Sequence, residues 1–154
     1  DTGAAGQSLE ELKQSAAKSG FKVTVSEVAT VEELHASLSS MPKDIDAIFM
    51  LHSWLVGSNM NIVIEHAIKR KVPVISAGHV DARNGVVISY GPTDDRTGSQ
   101  AARLAHSILR GTAPADLPVE TSDFFLGINL KTAQAMGLEI PNDILQQADF
   151  IVRN

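Results

Sequence analysis

The chain reads as an α/β protein, with a doubly wound, mostly parallel sheet and helices on both faces. Three observations carry that reading. Apolar spacing switches between period two and a helical period through the first 111 residues, so strand and helix alternate. Two short runs, Asp46-Ala47-Ile48-Phe49-Met50-Leu51 and Val72-Pro73-Val74-Ile75-Ser76-Ala77, are nearly continuous in apolar residues. Such runs are the mark of strands covered on both faces. Helix starts are signalled by Ser8, Thr30 and Thr93, residues whose hydroxyls can cap free backbone amides.

Taken in order, Ser8-Leu9-Glu10-Glu11 is a capping box and opens a helix that Gly20 ends. Ahead of it, residues 1–6 read as a lead-in loop. Phe21-Lys22-Val23-Thr24-Val25-Ser26 alternates apolar and polar, which predicts a strand with one wet face. Thr30-Val31-Glu32-Glu33 is a second capping box, and its helix carries Leu34 and Leu38 before stopping near Pro42. The strand over 46–51 follows. After a loop from His52 to Gly57, a helix capped at Ser58 or Asn59 carries Ile62, Ile64, Ala67 and Ile68 inward. Lys69, Arg70 and Lys71 read as its solvated last turn, where the helix dipole favours cations. Strands over 72–77 and 85–90 come next. Thr93 then caps a long helix with Ala101, Leu104, Ala105, Ile108 and Leu109 as its apolar stripe, closed by Gly111.

Residues 1–111 thus form an α/β lobe. Residues 112–154 form a link punctuated by Pro114 and Pro118, a strand over 124–130, a helix over 131–136 and a short helix near 142–148, which complete the lobe. The alternation has one hole. A flavodoxin-like strand order expects a central strand just upstream of Asp1.

Composition excludes several function classes. The chain has 154 residues, 44% hydrophobic and 20% charged, as in ordinary globular domains. No apolar run approaches the roughly 18 residues of a spanning helix, so no membrane insertion is expected within it. There are no cysteines, which removes disulfides, thiol nucleophiles and cysteine-built zinc sites. A net charge of −5 disfavours a nucleic-acid partner, whose phosphates demand cations.

Ligands of open α/β sheets bind beyond the carboxyl ends of the strands. Three loops leave such ends. The first carries His52, Ser53 and Trp54; the second Gly78, His79 and Asp81; the third Tyr90, Gly91, Thr93, Asp94, Asp95 and Arg96. Polar and aromatic side chains here follow greasy strands, as a binding rim requires. Trp54, the single Trp, offers either a stacking face or a cap over a helix. His52, His79 and Asp81 invite a metal reading, but no two of the five histidines sit at close ligand spacing, so no metal is expected. Ser53 lies in no G-x-S-x-G elbow, and no catalytic set is expected. Gly3 to Ser8 matches no phosphate-binding glycine motif, and no cofactor is expected.

Longer phrases carry a resemblance. Val72-Pro73-Val74-Ile75-Ser76-Ala77-Gly78 and Asn84-Gly85-Val86-Val87-Ile88-Ser89-Tyr90-Gly91 precede Gly98-Ser99-Gln100-Ala101-Ala102. Then come Gly111-Thr112-Ala113-Pro114-Ala115-Asp116-Leu117-Pro118-Val119-Glu120, Ile128-Asn129-Leu130-Lys131-Thr132-Ala133 and Gly137-Leu138-Glu139-Ile140-Pro141. Nearly the whole chain resembles the C-terminal half of ABC-transporter substrate-binding proteins of the tryptophan/tyrosine-uptake type, which have the periplasmic-binding-protein type I fold. The resemblance implies most of the second lobe of a hinged pair, with residues 112–154 contributing to the hinge region. It implies a small organic solute, amino-acid-like or aromatic, clamped between lobes. It also implies a membrane permease as partner, a periplasmic or otherwise extracytoplasmic location by lipid anchor or secretion, and no enzymatic activity. By position, His52, Ser53, Trp54, Gly78, His79, Tyr90 and Asp94 are the candidate ligand-binding residues. The sequence departs from the family at His52-Ser53-Trp54 and at His79, where acidic side chains are common. The same lobe also serves as an extracytoplasmic sensing domain of signalling proteins, which is the alternative function.

Overall fold

The computed structural model describes residues 2–51 and 53–153. Five short strands form one sheet in the order β1 to β5: β1 Ile48–Met50, β2 Val74–Ser76, β3 Ile88–Gly91, β4 Phe125–Asn129 and β5 Phe150–Val152. The pairs β1/β2, β2/β3 and β4/β5 are parallel, while β3 and β4 run antiparallel. Among the described residues, seven helices accompany them: α1 Thr2–Lys18, α2 Val31–Ser40, α3 Trp54–Ser58, α4 Met60–Arg70, α5 Asp94–Leu109, α6 Leu130–Met136 and α7 Asn142–Leu145. Two 3-10 turns lie at His79–Asn84 and Pro114–Asp116. The architecture is the mostly parallel α/β sheet the sequence predicts.

The core is built on one side of that sheet. Leu34 and Leu38 of α2, Val63, Ile64 and Ala67 of α4, and Ala133 and Met136 of α6 pack with Met50, Val74 and Val87. Helix starts are held as the sequence predicts at two places. Thr30 Oγ1 accepts from the Glu33 amide at 3.1 Å, and Thr93 Oγ1 accepts from the Arg96 amide at 3.3 Å. Glu33 reaches back to the Ala29 amide at 2.7 Å, one residue before the cap.

Several expectations are corrected. Helix α1 begins at Thr2, so Ser8 lies inside it and the expected Ser8–Glu11 box does not form. Alanines favour helix strongly enough to carry it past Gly3 and Gly6, and Glu11 instead accepts from Gln7 at 3.0 Å, one turn earlier. Residues 21–26 form no strand, and Phe21 is 72% exposed. Alternation supplies a strand's side chains but not its neighbour. Among the described residues none pairs with this segment; the sheet ends at β1. The strand 46–51 is not buried on both faces. Register places Phe49, Ile75 and Ile88 on one face and Met50, Ser76 and Ser89 on the other. The second set is buried, whereas Phe49 is 44% exposed. Helix α5 buries none of its side chains, so its expected apolar stripe leaves Ile108 and Leu109 in solvent.

The basic end of α4 is also more than solvated. Arg70 donates from Nη1 to the Met41 carbonyl at 2.8 Å and from Nη2 to the Pro42 carbonyl at 2.6 Å. One guanidinium thereby satisfies carbonyls left free where α2 ends. Lys71 closes α4 in the left-handed conformation, at φ 57°, where glycine is usual.

Candidate functional site

The three loops beyond β1, β2 and β3 meet in one concavity of about 290 Å³. Parallel pairing brings them together, because it puts the carboxyl ends of the three strands on one edge of the sheet. The first loop supplies Ser53 and Gly57, above Met50 and Leu51. The second supplies Gly78 and Asp81, and the third Pro92, Thr93 and Asp94. The floor is apolar and the rim carries hydroxyls and carboxylates, which suits a small organic molecule with polar groups.

Each rim residue is held by its own local structure. Ser53 is the N-cap of α3, its Oγ accepting from the Val56 amide at 3.4 Å. Gly78 is the N-cap position of the 3-10 turn, and Ser76 Oγ donates to its carbonyl at 3.3 Å. A Cβ at Gly78 would collide with the Asp81 carboxylate, so glycine lets that carboxylate sit against the second loop. Thr93 is buried and caps α5. Its hydroxyl also hydrogen-bonds the Asp95 carboxyl, which with the Arg96 amide and guanidinium holds Asp95 below the ordinary carboxylate range.

The sequence-derived candidates divide. Ser53, Gly78 and Asp94 line the concavity. Trp54 does not; it opens α3 beside Ser53 and stands 90% exposed, so it caps no core. Tyr90 remains within β3, 55% exposed, with its ring 5.3 Å from that of Phe124 and tilted by 40°. His52 lies outside the described residues, and His79 is described only as the backbone start of the 3-10 turn. Asp81 and Thr93, read from the sequence as strand-end loop residues but outside the candidate set, also line the concavity, as do Gly57, Met60 and Pro92. Asp81 and Thr93 carry the polar signal of a turn start and a helix start at strand ends; Gly57, Met60 and Pro92 carry none.

A second concavity of about 560 Å³ adjoins the first and shares Thr93 and Asp94 with it. It reaches across the starts of β4 and β5, to Phe125 and Phe150. Register explains this. The antiparallel β4 and its parallel partner β5 begin at the edge where β1 to β3 end.

A family model described as ABC transporter substrate binding protein matches residues 2–152. The chain belongs to that family. Solved structures agree. A conserved domain protein from Vibrio cholerae is 28% identical with a TM-score of 0.82, matching 96% of this chain and 50% of that one. An ABC domain from Streptococcus pneumonia, solved in complex with L-Trp, is 26% identical with a TM-score of 0.81, over 96% of this chain and 52% of that one. A tyrosine-binding protein of Clostridioides difficile is 27% identical over 132 residues, 85% of this chain and 38% of that protein. The chain therefore spans about half the length of these two solved structures. Among the described residues no helix is long and apolar enough to cross a membrane.

Proposed function

We propose that the chain is one lobe of the solute-binding component of an ABC importer. It takes a small aromatic or amino-acid-like solute at the concavity beyond β1, β2 and β3. The convergence of the three loops on one apolar-floored, carboxylate-rimmed hollow carries this reading. The L-Trp complex and the tyrosine-binding relative support the solute class. Because each relative is about twice as long, the other half would supply a second lobe. Residues 112–124 would then lie near the hinge. The importer's permease would be the partner, and the location would be extracytoplasmic. His52 and His79, at the strand ends, are further candidate contacts, as are Trp54 and Tyr90.

The test uses the full-length protein and a panel of L-tryptophan, L-tyrosine, indole-3-propionate and benzoate, with the amide of each. A ligand binding only the folded state at 100 times its Kd raises stability by about 2.7 kcal/mol. At least one panel member should give such a rise and should change the emission of Trp54, with Trp54→Phe as control. A panel without any rise would sink the reading.

A further inference from the structure

The second concavity is lined by two cations, Arg83 and Arg96, each set against an aromatic ring. The Arg83 guanidinium lies 5.0 Å over the Phe150 ring, and that of Arg96 lies 6.0 Å over the Phe125 ring. A guanidinium set against an aromatic face keeps N–H groups that can still donate to a ligand. Among the described residues, ion pairs join Lys13 to Glu10 and Arg103 to Glu120, and neither Arg83 nor Arg96 takes part in one.

Three carboxylates line the same hollow, yet two are already engaged. Asp149 Oδ2 accepts from the Leu126 amide at 2.7 Å. Asp95 takes the Thr93 hydroxyl at the start of α5. The third, Asp94, stands at the boundary with the first concavity.

We propose that the second concavity is a carboxylate subsite, in which the forked N–H groups of Arg83 and Arg96 receive a carboxylate of the captured solute. This assignment rests on the solute-binding reading and specifies the solute: a small organic acid whose apolar body occupies the first concavity. A guanidinium fork matches a carboxylate's two oxygens. The neighbouring acids select against a dianion such as a phosphate ester, since each added negative charge meets their repulsion.

The experiment compares acid with amide on the full-length protein by titration calorimetry. Indole-3-propionate is the primary probe, set against indole-3-propionamide. The acid should bind about tenfold tighter or more, as expected for a charge-assisted pair. Arg83→Gln with Arg96→Gln should erase that preference by weakening the acid far more than the amide, with thermal midpoints confirming folded protein. Should the Gln pair not fold, Arg83→Gln and Arg96→Gln are made singly, and each should reduce the preference. Equal binding of acid and amide by the unmodified protein, or a preference that survives the double substitution, overturns the subsite and leaves the solute-binding reading standing. No binding of any panel member in either form removes that reading and the subsite with it.

Discussion

Asn129 donates from Nδ2 to the carbonyl of Ala82 at 2.7 Å, while its Oδ1 accepts from the Thr132 amide at 2.8 Å. One side chain of β4, 3% exposed, therefore anchors the 3-10 turn behind the second cleft loop and caps α6. Both partners are backbone groups in the interior. Removing the side-chain amide leaves the Thr132 amide unpaired and takes one of two donors from the Ala82 carbonyl, which keeps the Gly85 amide at 3.2 Å; an unpaired buried group costs about 1–3 kcal/mol.

Asn129→Leu should accordingly lose about 1–3 kcal/mol in urea denaturation. Hydrogen exchange should quicken at the Gly85 and Val86 amides, which bond to Ala82 and Asp81 within the turn. A change under about 0.5 kcal/mol, the usual range for a surface substitution, would show that Asn129 anchors nothing.

Thr93 joins a second such pair of roles, since its hydroxyl oxygen accepts from the Arg96 amide and its proton serves Asp95. Thr93→Ala should cost about 1 kcal/mol, the ordinary worth of a helix cap, and Thr93→Ser should restore most of it. The pH dependence has a definite sign. The Asp95 carboxyl is lowered in the fold, so its stabilising contribution is present above its unfolded value near 3.8 and is lost as pH falls through the folded one. The acid limb of a stability-against-pH curve should flatten in Thr93→Ala. An unchanged acid limb would rule out the Thr93–Asp95 bond.

These two residues differ in how legible they were. Thr93 could be read because capping is local: a hydroxyl, two acids and an apolar helix stand within a few positions. Asn129 could not, because Ala82 lies 47 residues away. The same divide runs through the fold. The meeting of the strand-end loops is legible because parallel order alone brings them to one edge. The segment 21–26 was misread because its pattern is silent about whether a neighbouring strand is present. Helix α3 and strand β5 are invisible to periodicity because five and three residues carry too little of it. Arg70 looked solvated because its partners, Met41 and Pro42, close a contact between separate helices.

Arg70 yields a prediction of its own. Arg70→Ala leaves the Met41 and Pro42 carbonyls without their shared donor and should destabilise by about 1.5–3 kcal/mol, the range for a hydrogen bond to a charged group. Arg70→Lys should recover only part, since one ammonium cannot reproduce the fork. Full recovery in the lysine variant, seen in thermal unfolding, would mean that charge near α2 matters and the paired geometry does not.

The link between α5 and β4 is tied down by a polar clasp. Glu120 accepts from Arg103 and, at 2.8 Å, from Gln100, while Thr97 and Ser122 hydroxyls lie 3.1 Å apart. The Arg103 hydrogen bond, then that of Gln100, holds the Glu120 carboxyl below its ordinary range. Its contribution is therefore present above the unfolded value near 4.5 and lost as pH falls through the folded one. The difference in melting temperature between the unmodified protein and Glu120→Gln should be largest near neutral pH. It should shrink in acid and shrink again in high salt, because the clasp is exposed and screened. A difference that persists below pH 3 would assign the effect to packing of the strap.

Gly78 separates a cost to folding from a cost to the site. Its backbone, at φ −95° and ψ 121°, suits any residue, so no conformational strain attends substitution. What a methyl group would meet is the Asp81 carboxylate. That side chain has two rotatable bonds and opens toward the concavity, so it can turn aside at modest expense. Gly78→Ala should thus shift stability by less than about 1.5 kcal/mol, as small repacking changes do. It should still displace a carboxylate from the rim and weaken the best panel ligand by about tenfold, the effect of one lost charged hydrogen bond. Asp81→Asn in the unmodified background should weaken binding to a similar degree. If Gly78→Ala binds as well as the unmodified protein while Asp81→Asn does not, the carboxylate has found an equally good position and the glycine is not needed to place it.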